Sequence, residues 1–111
     1  MRWTLKHVAE AMAGKPRPAL DTMARVAGVS IDSRTIRRGE LFIAIHGPRN
    51  DGHDYVADVI DSGALAAVVA EPVVSRYPGW LQDRCITVPD TLGALHDLAR
   101  AVRQDWGKPT Y

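Results

Sequence analysis

At 111 residues with a formal net charge of +1, the chain has the length of one compact domain and lacks the broad basic field of a nucleic-acid-binding surface. Apolar residues make up 46% and charged residues 24%, the balance of a globular domain that buries its own core. One cysteine excludes an internal disulfide, and no run approaches the ~20 apolar residues that cross a bilayer.

Residues 1–14 alternate polar and apolar, without the continuous apolar core of a secretory leader, so the expected compartment is the cytoplasm. Thr4 is placed to cap a first helix, whose apolar stripe is Leu5, Val8, Ala9 and Met12. Gly14, Pro16 and Pro18 end it, and residues 15–22 read as a proline-rich linker. Met23 to Ile31 is an extended segment with β-branched Val26, Val29 and Ile31. A polar stretch follows, turning at Arg37-Arg38-Gly39. Leu41 to Ile45 is a continuous apolar run of strand length, the pattern of a strand buried on both faces.

His46 to His53 is a loop holding two glycines, a proline and an asparagine. Tyr55, Val56, Val59 and Ile60 form the next helical stripe, closed by Gly63, with Asp51 or Asp54 as the cap. Ala66–Ala70 is a second buried strand, Pro72–Asp83 is irregular around a Pro78-Gly79 turn, and Cys85–Val88 is a short strand. Cys85 reads as a small core hydrophobe, since no base lies near it in sequence. Asp90 caps a last helix with Leu92, Leu95, Leu98, Ala99 and Val102 facing inward, stopped by Gly107 and Pro109. The expected fold is α/β, a single small domain over residues 1–111, with a short, mostly buried mixed sheet and helices packed on it.

Two segments place polar, conformationally special residues where the apolar pattern breaks: Ser30–Thr35 and His46–Asp54. Each follows a strand, where α/β proteins hold ligands. In the second, the glycines allow close backbone approach, and the helix behind them offers N–H groups suited to phosphate. Arg49 and His53 add cationic or donor character, and Asn50 offers both donor and acceptor to a base edge. The same spacing also fits a capped helix start after an ordinary glycine loop, and Asp32-Ser33-Arg34 also fits a plain polar turn. A triad of Ser33, His53 and Asp51 has no nucleophile elbow to support it. The four histidines lack zinc-site spacing, and no Gly-x-x-x-x-Gly-Lys-[Ser/Thr] phosphate loop occurs.

Taken in order, these motifs resemble the first domain of the Mur ligases. Gly28–Ile36 is similar to that family's first strand and turn, and Arg38–Ile45 to its Gly-[Asp/Glu]-Leu-Phe strand. Gly47–Tyr55 is similar to its Gly-x-Arg-x-Asp-Gly-His loop, with Asn50 where an aromatic residue is common and Tyr55 where Phe is common. Ser62-Gly63-Ala64, the strand after it, and the first and last helices follow in the family's order. The resemblance implies a domain that binds UDP-N-acetylmuramoyl-peptide during peptidoglycan synthesis, through Ser33, Arg34, Gly47, Arg49, Asn50, Asp51, Gly52 and His53. It implies the branch that adds D-alanyl-D-alanine to the tripeptide, the branch adding the third amino acid being the nearest alternative. A non-catalytic nucleotide-sugar sensor is the alternative from another class. ATP and Mg²⁺ would belong to further domains of the same ligase chain, leaving these residues without catalytic groups, cofactor, nucleic acid or membrane insertion.

Overall fold

The structure is a computed structural model that describes residues 3–106. Helix α1 (Leu5–Ala11) opens on Thr4, whose hydroxyl accepts the His7 N–H. The first-turn N–H groups of Leu5 and Lys6, which a helix leaves without internal partners, reach the carbonyls of Ala24 and Thr22. The expected stripe is the buried one: Leu5, Val8, Ala9 and Met12 are all at most 2% exposed. The chain leaves the helix through Ala13, which takes a left-handed backbone (φ 53°), one residue before Gly14. Gly14 is needed for space instead, since a Cβ there would stand 2.7 Å from Ile86 Cγ2.

That close approach seats a strand where a linker was expected. Strand β1 (Lys15–Pro16) pairs antiparallel with β5 (Cys85–Val88), Lys15 opposite Thr87. Pro16 is tolerated because β1 is an edge, where a missing N–H leaves no ladder position empty. The other strands, β2 (Gly28–Ser30), β3 (Glu40–Ile43) and β4 (Ala66–Ala70), run parallel to β5, giving the sheet order β1-β5-β4-β3-β2. This is the mixed sheet expected. Between β3 and β4 stand a 3-10 turn (Gly52–Tyr55) and α2 (Val56–Asp61). Between β4 and β5, the segment expected to be irregular folds into two single-turn helices, α3 (Glu71–Val74) and α4 (Gly79–Gln82). Each is a single turn, too short for apolar periodicity to reveal.

Side-chain alternation divides the core into two layers. Leu41, Ile43, Ala66, Val68, Ile86 and Val88 meet α1 and the last helix, α5 (Thr91–Trp106). Phe42, Ala44, Ala67, Val69 and Cys85 meet α2 and Leu81 of α4 on the other face. Burial pushes the Cys85 thiol up to about 11, which suits its place as a core hydrophobe. In α5 the expected inward stripe holds at Leu95, Leu98 and Val102 and fails at Leu92 and Ala99. Asp90 caps the helix by accepting the Gly93 N–H, and this sets a phase in which Thr91, Ala94 and Leu98 face in. Leu92 is therefore 49% exposed and Ala99 lies outside as well. The expected stop at Gly107 and Pro109 lies outside the described residues.

Candidate functional site

Because β2 and β3 are parallel neighbours, the loops leaving them emerge side by side at the carboxyl end of the sheet, where open α/β sheets bind ligands. Between them lies a cleft of about 550 Å³, within the roughly 300–1,000 Å³ typical of small-molecule sites. Ile31, Asp32, Ser33 and Arg34 wall one side; Ile45, Gly47, Asn50 and Gly52 wall the other. Phe42 lies beneath, and Tyr55 reaches in from the 3-10 turn. Ile31 and Tyr55 are 53% and 37% exposed, two large apolar groups left in water beside polar ones.

The first loop is held by contacts within itself. The Ser30 hydroxyl accepts the Asp32 N–H at 3.1 Å. The Asp32 carboxylate accepts the Arg34 N–H at 2.9 Å and grips its guanidinium at 3.1 and 3.2 Å. That guanidinium, then the Arg34 backbone N–H, hold the Asp32 carboxyl below its ordinary range. Arg34 itself is 87% exposed, so its charge is displayed at the rim.

The second loop is a tight hairpin. Gly47 N–H donates to the Asn50 carbonyl and Gly52 N–H to the Ile45 carbonyl, at 2.8 and 2.9 Å. Both glycines thus serve the turn rather than offering free donors to a ligand. A Cβ on Gly52 would lie 2.9 Å from Ile45 N and 3.1 Å from Ala44 Cα, both backbone atoms that cannot step aside. The helix expected behind the loop, with a start suited to phosphate, is a 3-10 turn running into the six residues of α2. The cap is Asp51, which accepts the His53 N–H at 3.0 Å.

His53 was expected to offer donor character to a ligand; the structure uses both its nitrogens internally. The residue is 7% exposed. Its Nδ1 sits 2.6 Å from Asp51 Oδ1, and its Nε2 accepts the Ala70 N–H at 3.1 Å. The His46 ring lies 3.4 Å from the other Asp51 oxygen. Partial burial opposes ionisation of Asp51, but the His53 backbone and ring, then the His46 ring, outweigh it and hold the carboxyl low. Tyr77 donates its hydroxyl to the His53 carbonyl at 2.7 Å.

Of the residues singled out by sequence, the cleft gathers Ser33, Arg34, Gly47, Asn50 and Gly52. Arg49 is exposed on the hairpin outside the lining, and Asp51 and His53 lie beneath it as braces. Sequence reasoning passed over Ile31, Asp32, Phe42, Ile45 and Tyr55 as lining residues. The available signal was an apolar residue at each special loop, Ile31 within the first and Tyr55 directly after the second.

Residues 25–103 match a family model described as the Mur ligase family, catalytic domain. A UDP-N-acetylmuramoyl-L-alanyl-D-glutamate–2,6-diaminopimelate ligase of Aquifex aeolicus is 36% identical over 88 residues, 79% of this chain and 16% of that protein. A UDP-N-acetylmuramoyl-tripeptide–D-alanyl-D-alanine ligase of Bacillus subtilis is 35% identical over 104 residues, 94% of this chain and 22% of that protein. A crystal structure of MurF from Acinetobacter baumannii superposes with a TM-score of 0.79 at 27% identity, over 95% of this chain and 22% of that one. The chain thus spans about a fifth of the length of such relatives.

Proposed function

We propose, from the premise that this chain belongs to the Mur ligase family, that residues 1–111 are the domain holding the UDP end of a UDP-N-acetylmuramoyl-peptide. The ligase would be the one that joins D-alanyl-D-alanine to UDP-N-acetylmuramoyl-tripeptide, using ATP in the cytoplasm. The observation that carries this reading is the cleft at the carboxyl ends of β2 and β3, with apolar walls at Ile31 and Tyr55 and polar groups between them. Ile31 and Tyr55 suit the faces of a flat base. Ser33, Asp32 and Asn50 offer hydrogen bonds to its edge and to ribose hydroxyls. Arg34 and the exposed Arg49 supply charge for the diphosphate. Gly47 and Gly52 shape the hairpin, and Asp51 and His53 hold it.

Chemistry at the peptide carboxylate belongs elsewhere in such an enzyme. The chain has no Gly-x-x-x-x-Gly-Lys-[Ser/Thr] loop, and the described residues contain no group of three or more His, Cys, Asp or Glu able to hold a metal. These residues do not fit ATP and Mg²⁺, and no step of the reaction is assigned to them. Their contribution is to fix the nucleotide end, so that binding energy far from the reacting carboxylate positions it. No helix among the described residues is long and apolar enough to cross a membrane.

A second reading is the branch that adds the third amino acid, favoured by the 36% identity to the Aquifex relative. Assaying which UDP-muramoyl peptide the whole ligase extends separates the two. For the domain itself, an NMR titration with UDP and uridine should shift residues 31–34, 45–52 and 55. Shifts confined to residues 91–105, with both loops silent, would overturn the site.

A further inference from the structure

We propose that His53 is a positioning residue: a neutral imidazole, protonated at Nδ1 alone, that fixes the hairpin to the end of β4 and so sets the shape of the cleft. The effect of that shape on a bound nucleotide rests on the function proposed above; the tie between hairpin and β4 stands without it.

The geometry leaves one protonation state. The Ala70 N–H can only donate, and it points at Nε2 from 3.1 Å, so Nε2 carries no proton. The ring proton therefore sits on Nδ1, where Asp51 Oδ1 at 2.6 Å accepts it. Which nitrogen holds the proton is set by the partner of the other, as is general for histidine. A second proton would put two donors face to face in a ring that is 7% exposed, leaving a buried N–H unpaired.

The brace joins three parts of the chain. Asp51 belongs to the hairpin, and its bonds to the His53 ring and backbone clamp the residue that follows Asn50. Ala70 is the last residue of β4, the strand beside β3. Tyr77, between α3 and α4, holds the His53 carbonyl from the far side. The titratable groups around the ring are thus Asp51, with His46 3.4 Å from its second oxygen, the Tyr77 hydroxyl, and Asp54 next in the chain. None of the four bonds touches the cleft, yet Gly47, Asn50 and Gly52, which line it, sit on the segment they hold. His53 acts on the ligand through the hairpin.

The test uses the chain with ¹⁵N-labelled histidine and UDP as probe. Long-range proton–nitrogen correlations in the ligand-free chain should find the His53 proton on Nδ1; a proton on Nε2 overturns the proposal. His53→Asn keeps a donor toward Asp51 and loses the Ala70 bond, whereas His53→Gln keeps an acceptor toward Ala70 and loses the Asp51 bond. Each should keep a folded spectrum, loosen the amides of residues 46–52 in relaxation measurements, and weaken UDP about tenfold, the effect of roughly one hydrogen bond. A variant whose melting temperature falls while those amides and the UDP affinity stay unchanged shows a merely structural role and sinks the proposal. Should both variants unfold, Asp51→Ala, at a side chain 27% exposed, removes the acceptor of both His53 bonds; it loosens the same amides if the brace is as described and leaves them unchanged if it is not. If the unaltered chain ignores UDP, the functional reading falls, and the tautomer and relaxation results decide the brace by themselves.

Discussion

The turn after β2 and the hairpin after β3 wall the same cleft but are tied down differently. In the turn, Ser30, Asp32 and Arg34 bond to partners two residues away, and its guanidinium stands in water. In the hairpin, His53 bonds to Ala70 across 17 residues and to Tyr77 across 24. Local bonds shape a segment without attaching it to the core; long-range bonds make it part of the cooperative fold. The hairpin is therefore a fixed wall, and the turn an adjustable one. Under the proposed function, a nucleotide end would meet backbone fixed to the core on one side and an exposed, locally paired guanidinium on the other.

Gly52→Val should give the largest effect, because it strikes the fixed wall where two backbone segments meet. The added Cβ falls 2.9 Å from Ile45 N, so either the hairpin or the end of β3 must move. Overpacking of this kind costs about 1–3 kcal/mol, and the UDP response should vanish with it. Chemical denaturation and the UDP titration together check this. Stability unchanged alongside lost binding would mean that the hairpin is not built into the fold, and the contrast between the walls would collapse.

The same contrast explains what was legible in sequence. β4 and β5 could be read to the residue, since continuous apolar runs such as Ala66–Ala70 carry their own signature. The capped α1 was equally plain. β1 was not, because two residues ending in proline look like a linker until Gly14 lets them approach Ile86. In α5, Leu95, Leu98 and Val102 pack inward as read, but Leu92 was misplaced because leucine looks inward by type, while the Asp90 cap turns it outward. At the site, the self-contained turn could be read as a polar motif, since all its partners are neighbours in sequence. The brace could not: nothing in the sequence says that a histidine in a glycine loop meets a strand end 17 residues on.

Tyr77→Phe should sharpen the comparison next. It removes the hydroxyl that holds the His53 carbonyl and leaves the ring packing intact, so it should destabilise the chain by about 1 kcal/mol. Thermal melts should show the loss, and hydrogen exchange should place it at the hairpin rather than at the turn after β2. Burial, then nearby acidic groups, push the Tyr77 hydroxyl far up its range, so this contribution stays constant through neutral and mildly alkaline pH. Exchange quickening equally in both loops would show that they behave as one unit.

On the adjustable wall, Ser33→Ala should split the two readouts. Stability should change by less than about 0.5 kcal/mol, as at surface positions generally. UDP and uridine should each weaken by about 1 kcal/mol, the worth of one hydrogen bond to the ligand. Calorimetric titration beside a melt measures both. A stability loss larger than the binding loss would make Ser33 part of the frame.

The smallest effect belongs to the Asp32–Arg34 pair, and it tests the idea of an adjustable wall most directly. The Arg34 guanidinium, then its backbone N–H, lower the Asp32 carboxyl from its ordinary 3.8. For a carboxylate lowered in the folded state, the stabilising contribution is present above the ordinary value and is lost as pH falls through the lowered one. That window lies below pH 3.8, so at neutral pH the pair is intact and constant. Because both groups face water, its loss should leave the global melt nearly unmoved. The local signal should still be clear: a carboxyl titration of Asp32 followed by NMR should move toward 3.8 in Arg34→Ala, while the melting temperature stays put. The same variant should weaken UDP more than uridine, because uridine has no diphosphate for the guanidinium to meet, and added salt should narrow that difference. If Arg34→Ala instead lowered the melting temperature as much as Tyr77→Phe, the turn would be fastened to the core as firmly as the hairpin, and the cleft would have two fixed walls.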